Sequence, residues 1–262
     1  MPAYETMTLE TDGRVGRVVF TRPESLNSVT EQVLADLEAV CDAVEADPGI
    51  RVLVIAGSGR AFSVGLDLDL LDRAFADPAV WERVARRLSA LALRLERLPA
   101  VVIAEVNGLA RAGGFELVLA ADLAVVAESA RLSDAHAAFA VLPVGGSTSR
   151  LPRIVGRQRA REIFLSGRWI PAEEAVRLGL ALKAVPDERL QEAVAELAAS
   201  FAGRSRAFVG AMKRQLAAVE GLSSEEAVEP EVAHFLAHVT PADSDGREGY
   251  RSWRENRRPS WA

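Results

Sequence analysis

NGLARAGGFELVLAAD, residues Asn107–Asp122, is the stretch on which the reading of this chain turns. A glycine pair, Gly113-Gly114, opens an apolar run that holds a single carboxylate, Glu116. Phe115, Leu117, Val118, Leu119, Ala120 and Ala121 surround that carboxylate. A helix from about Gly113 to Ala120 is therefore apolar nearly all round and belongs in a core. Burying a carboxylate is costly unless it has partners or serves part of the time as the neutral acid. Desolvation raises its pKa, and the nearby helix N-terminus lowers it. Two readings stand side by side. Glu116 is half of an ion pair with an arginine such as Arg111, or it is a proton-transfer group. The second gains from the glycines, because small residues let a ligand approach free helix N–H groups.

Outward from this helix the pattern is strand–helix–strand. Ala100–Val106 reads as a buried strand before it and Leu123–Ala127 as a strand after it. Upstream, Arg14–Thr21 and Arg51–Ala56 read as strands, the latter followed by the loop Gly57-Ser58-Gly59-Arg60. Ser28–Ala46 reads as a helix with capping-box spacing at Ser28 and Glu31 and one apolar face. Val80–Leu98 is a long helix stopped by Pro99. After Pro186 the pattern turns helical to Glu220, and again from Ser223 to about Val239. This is an α/β core with a helical C-terminal part, divided near residue 190 into 1–190 and 191–262.

A second stretch, AFSVGLDL at Ala61–Leu68, lies after a strand and a glycine loop, where sheet ends usually bind ligands. Gly65 frees the backbone so that the Leu66 N–H can face a cleft, and a strand-to-helix turn capped by Asp67 is the plainer alternative. Two convergent N–H groups beside a buried carboxylate suit an enzyme that polarises a carbonyl and moves a proton nearby.

Composition narrows the class. The 262 residues can bury a full core, and a net charge of −6 gives no bias toward nucleic acid or an anionic membrane. Apolar stretches are broken by Glu105, Glu116 and Asp122, so none spans a bilayer. The polar, acidic N-terminus lacks the apolar core of a signal peptide. Cys41 is the only cysteine, sits on an apolar helix face and fits a reducing cytoplasm. The basic run Arg251–Arg258 reads as a solvated tail, with a place near an anionic ligand as the alternative. His234 and His238, four apart with Glu231 before them, have metal-binding spacing, but the pattern is not HExxH. A solvated or subunit-facing helix surface is the expectation, with no metal. Gly145-Gly146-Ser147-Thr148-Ser149 lacks the closing glycine of a nucleophile elbow. No G-x-G-x-x-G or P-loop lysine follows a strand.

Five segments resemble, in order and at the expected spacing, the signatures of the crotonase (enoyl-CoA hydratase/isomerase) superfamily. They are RPESLNSVT (22–30), DPGIRVLVIAGSGRAFSVGLDL (47–68), VNGLARAGGFELVLAADL (106–123), LPVGGSTSRLPRIVG (142–156) and EGYRSWRENRRPSW (248–261). The resemblance implies a spiral of ββα units with C-terminal helices that make homotrimers, often paired into hexamers. It implies an acyl-CoA substrate, with coenzyme A as part of that substrate and no further cofactor. Its thioester oxygen would sit between the N–H groups of Leu66 and Gly113. Leu26, Ala61, Ser63, Gly65 and Leu66 would lie along CoA and the acyl group, together with Asp67, Leu68 and Gly114.

Glu116 matches the first of two glutamates in family hydratases. The second is replaced. In Leu132-Ser133-Asp134-Ala135-His136 its place falls to His136, with Asp134 two residues earlier to orient or charge it. A histidine can exchange a proton near neutral pH, and a packing histidine is the alternative. Hydration of a 2-enoyl-CoA is the expected reaction. Double-bond isomerisation, acyl-CoA hydrolysis and a silent acyl-CoA-binding scaffold are the alternatives.

Overall fold

The computed structural model describes residues 4–261; residues 1–3 and residue 262 lie outside the described part. Strand β1 (Met7–Asp12) pairs antiparallel with β2 (Val15–Phe20) across a turn at Asp12-Gly13-Arg14. Helix α1 (Glu31–Ala46) follows, then β3 (Val52–Gly57) and β4 (Ala61–Ser63). Two helices, α2 (Leu68–Ala76) and α3 (Pro78–Arg97), lead to β5 (Val101–Val106) and β6 (Leu109–Arg111). Helix α4 (Gly113–Ala120) leads to β7 (Leu123–Ala127) and β8 (Arg131–Ser133). Then come α5 (Ser147–Val155), α6 (Arg157–Ser166), β9 (Ile170–Pro171), α7 (Ala172–Arg177) and β10 (Lys183–Val185). Helices α8 (Leu190–Ala202), α9 (Arg206–Val219), α10 (Ser224–Val239) and α11 (Asp245–Arg254) complete the chain.

The strands form two sheets. One has six strands in the order β1-β2-β3-β5-β7-β10, parallel except for the β1–β2 pair. The other has four, β4-β6-β8-β9, with β8–β9 antiparallel. Each pass sends one strand to the larger sheet and the next to the smaller, then adds helix: β3–β4, β5–β6, β7–β8. This is a spiral of ββα units. The central strands β3 and β5 are Val/Ile-rich and buried along almost their whole length, as parallel strands covered on both faces are. Glu105, the one charge in β5, is 5% exposed and pairs with Arg17 of β2 at 2.6 Å.

Two local expectations are corrected. Ser28 does not cap α1. Thr30 does, its Oγ1 accepting from the Val33 N–H at 3.2 Å, because the Ser28 hydroxyl donates to Asp67 Oδ2 at 2.7 Å. The stretch read as helical to Glu220 is resolved into two helices, with Ser205 capping α9 after a turn at Gly203. The basic segment read as a solvated tail is also partly structured. It begins in α11, and Arg257 folds back on Glu248 at 2.6 Å. Helix α8 packs on β2, β3, β5 and β7, whereas α9 and α10 pack on each other. No described helix is long and apolar enough to cross a membrane.

Candidate active site

Two turns bring the segments around Gly65 and Gly113 together. Val29 bridges to Leu66. The Val29 N–H donates to the Gly65 carbonyl at 2.8 Å and the Asp67 N–H to the Val29 carbonyl at 3.0 Å. That pairing turns the intervening Leu66 N–H the other way. Gly65 has φ +90, and a Cβ there would stand 2.8 Å from Ala112 Cβ and 3.0 Å from the Gly113 nitrogen. Only glycine permits both the left-handed backbone and this approach. Ala112, the residue before α4, adopts φ 47 and ψ −120, a conformation an L side chain rarely takes. The strain turns the start of α4 toward Gly65. Among the described residues, no protein acceptor takes the Leu66 or Gly113 N–H.

The loop ahead of β4 is fixed by two asparagines. Asn27 Nδ2 donates to the carbonyls of Ser58 (2.9 Å) and Ala61 (2.8 Å), and Asn107 Nδ2 to that of Gly59 (2.9 Å). Ala61 and Ser63 are buried in β4, and Leu26 lies half-buried in the adjoining left-handed turn at φ 56. Asp67 caps α2 through the Asp69 N–H at 3.1 Å. Burial alone would raise the Asp67 carboxyl, but the bonds from Ser28, Asp69 and Arg22 hold it below the usual range. Leu68 begins α2 and is 76% exposed.

Glu116 lies one helical turn beyond Gly113 and is 1% exposed. Among the described residues it pairs with no lysine or arginine. Arg111 stacks instead over the rings of Phe139 and Trp169, 5.1 and 5.9 Å from their centroids. The ion-pair reading of Glu116 is thereby set aside. Its Oε1 accepts a long bond from the Ser147 N–H at 3.5 Å, and its Oε2 has no hydrogen-bond partner among the described residues. Burial pushes its carboxyl above the ordinary range, opposed by the charge of His136 and the N–H groups of Ser147 and Gly145. An unpartnered, desolvated carboxylate oxygen of this kind is a strong proton acceptor.

His136 stands at the first position of a 3-10 turn, after Ala135 in a left-handed conformation (φ 60). Its Nδ1 is 3.0 Å from Asp134 Oδ1, and the Asp134 side chain is 1% exposed. Burial pulls the imidazole pKa down, but the bond and charge of Asp134 and the charge of Glu116 outweigh it, so the histidine stays protonated above its ordinary range. The sequence reading missed Ser147. Its hydroxyl donates to Asp134 Oδ2 at 3.3 Å while its N–H faces Glu116, so it ties the two acids together. The signal was the Gly145-Gly146 pair before it, which lets main chain approach a carboxylate. Away from this cluster, His234 Nδ1 bonds the Pro230 carbonyl at 2.8 Å and the His238 ring leans on Phe208.

The fold and this arrangement define a class. The chain matches the enoyl-CoA hydratase/isomerase family over residues 10–262, and it belongs to that family. It is 37% identical over 209 residues to a probable enoyl-CoA hydratase of Rhizobium meliloti, covering 76% of this chain and 77% of the other. It is 31% identical over 246 residues to a 1,2-epoxyphenylacetyl-CoA isomerase of Escherichia coli, covering 93% of each. Among solved structures, the enoyl-CoA hydratase of Bacillus anthracis superposes with a TM-score of 0.90 at 28% identity, over 98% of this chain and 99% of that one.

Proposed function

We propose that this family member is an enoyl-CoA hydratase that adds water across a 2-enoyl-CoA double bond. One observation carries the reading: a buried carboxylate with an unpartnered oxygen lies one turn beyond two main-chain N–H groups that no described residue accepts, and the charge of an Asp-paired histidine reaches it. The thioester oxygen accepts from Leu66 and Gly113, which favours the enolate over the ground state. Glu116 removes a proton from water as its oxygen bonds to Cβ. His136 gives a proton to Cα, and the two groups exchange protons with solvent to reset. Hydrogen bonds and two proton-transfer groups suffice for these steps, so coenzyme A enters as part of the substrate and no further cofactor is required. Ala61, Ser63, Gly65, Gly114, Leu26, Asp67 and Leu68 line the path of CoA and the acyl group.

A second reading is double-bond isomerisation. It is favoured by the presence of one glutamate rather than two, since a single base can carry a proton between carbons. The isomerase relative is compatible with it. Incubation with 2-enoyl- and 3-enoyl-CoA thioesters separates the readings by mass. Gain of water supports the hydratase, a mass-neutral shift the isomerase, and free CoA a hydrolase.

The assembly is a trimer or a pair of trimers in this proposal. On α9, Phe208, Met212 and Leu216 recur every four residues and stay exposed, as do Val228, Val232 and Leu236 on α10. Apolar stripes of this extent mark contact surfaces. The lone buried thiol of Cys41 fits the reducing cytoplasm as its location.

A further inference from the structure

The 144–147 turn is gripped from both sides. On its inner face the main chain touches Glu116: a Cβ on Gly145 would stand 2.6 Å from Oε2, and the Ser147 N–H reaches Oε1 at 3.5 Å. On its outer face two consecutive carbonyls are held by side chains. Ser89 of α3 donates to the Val144 carbonyl at 2.5 Å, and Arg150 of α5 donates through Nη1 to the Gly145 carbonyl at 2.6 Å. Arg150 is itself fixed. Its Nε donates to Glu96 Oε1 on α3 at 2.5 Å, and its side chain is 8% exposed. Gly146, at φ +93, leaves room for the guanidinium, since a Cβ there would lie 2.0 Å from Nη1.

A trans peptide points its C=O and the following N–H in opposite directions. Holding the Val144 carbonyl outward therefore turns the Gly145 N–H toward the carboxylate, and Arg150 fixes the same residue from its other side through the Gly145 carbonyl. We propose that Arg150, anchored by Glu96, is a positioning residue that keeps the Gly145–Ser147 main chain aimed at Glu116. It acts through the backbone and does not touch substrate. The inference rests on Glu116 being the base.

The other charged groups around α4 are engaged elsewhere or act separately. His136 acts on Glu116 directly, and Asp134 acts through His136 and Ser147. Arg111 at the end of β6 stacks on aromatic rings, and Glu105 of β5 pairs with Arg17. On α3, Arg83, Arg87 and Arg94 pair with Glu31, Glu38 and Glu45 of α1, and on α5 Arg153 pairs with Glu220. The N–H dipoles of this turn favour the charged carboxylate. Letting the turn drift removes them, so the carboxyl titrates at still higher pH.

The test compares wild type, Arg150→Gln, Arg150→Lys and Glu96→Gln. A lysine keeps the charge but not the fork that binds a carboxylate and a carbonyl together. The expected result is a fall in kcat of about 10-fold or more for both Arg150 variants, as small misplacements of a reacting group produce. KM stays close to wild type, and the acid limb of the pH–rate profile moves to higher pH. Glu96→Gln, at a half-exposed side chain, should shift the limb the same way by less, and it carries the test if the Arg150 variants fail to fold. Infrared titration of the carboxyl band that disappears in Glu116→Gln reads the protonation of Glu116 without turnover. Loss of kcat with an unmoved band and an unmoved limb, or wild-type kinetics in all variants, overturns the proposal. A band that moves while Glu116→Gln remains active leaves the turn's grip intact, refutes Glu116 as the base and overturns the catalytic role of Arg150 with it.

Discussion

Replacing Gly114 with alanine tests the packing that brings the two loops together. A Cβ on Gly114 would stand 2.1 Å from the Ser63 carbonyl oxygen, 2.7 Å from its carbon and 2.9 Å from Ser63 Cβ. Two of these three atoms are main chain of β4, which cannot rotate away. Restoring ordinary contact requires α4 and β4 to part by about 1 Å, and overpacking of this kind costs about 1–3 kcal/mol. The same displacement carries Gly113 away from Leu66, and misplacement by about 1 Å can cost on the order of 100-fold in rate. Gly113→Ala is the internal control. Its Cβ would meet Gly65 Cα at 3.4 Å and Leu88 Cδ2 at 3.8 Å, which is ordinary contact. The control keeps the N–H and gains up to about 1 kcal/mol of helix propensity. Denaturant unfolding and steady-state kinetics on the substrate identified by mass give both readouts. Gly114→Ala should be the less stable and much the slower of the two. A Gly114→Ala protein as stable and as active as wild type would refute the close approach of α4 to β4.

Leu66→Pro, which removes one N–H, should lower kcat by on the order of 100-fold or more, whereas Leu66→Ala keeps the donor and should lose far less; equal losses in two folded variants would remove the backbone-donor assignment. The pH–rate profile should be bell-shaped. Activity rises as Glu116 ionises, above the ordinary carboxylate range, and falls as His136 loses its proton, above the ordinary histidine range. His136→Gln should lower kcat and abolish the falling limb, and an unchanged profile with reduced stability would leave His136 a packing residue. Light scattering should give a multiple of three subunits, and a monomer at micromolar concentration would contradict the assembly.

The strand–helix–strand unit around Glu116 was legible because its pattern is local. Gly113–Ala120 and Leu123–Ala127 are buried apolar runs whose bounds match the sequence reading. The smaller sheet was not legible. Its strands β4, β6 and β8 have three residues each and β9 has two, too few to show a period of two. Helix α2 was missed because Leu68-Asp69-Leu70-Leu71-Asp72 mixes apolar and acidic residues over too short a stretch for a decisive pattern, and only the Asp67 cap marks its start. At α1 the sequence reading took Ser28 as the cap and overlooked Thr30, because Ser28 is drawn away by Asp67, 39 residues from it in sequence. The same limit explains the site. Glu116, Asp134 and His136 stood out as residue types in unusual surroundings. Arg150, Glu96 and Ser89 act through hydrogen bonds between distant segments, and no local pattern announces those; for Ser147 the glycine pair before it was the one local sign.

The most direct test of the account is Glu116→Gln, which keeps the shape of the side chain and cannot take a proton. Turnover should nearly vanish while acyl-CoA binding, followed by calorimetry, stays near wild type. The fold should also be more stable at neutral pH, because the raised carboxyl pKa means that ionising Glu116 works against folding once the pH passes the ordinary carboxylate range. Full activity of Glu116→Gln on the identified substrate would contradict the mechanism while leaving the fold untouched.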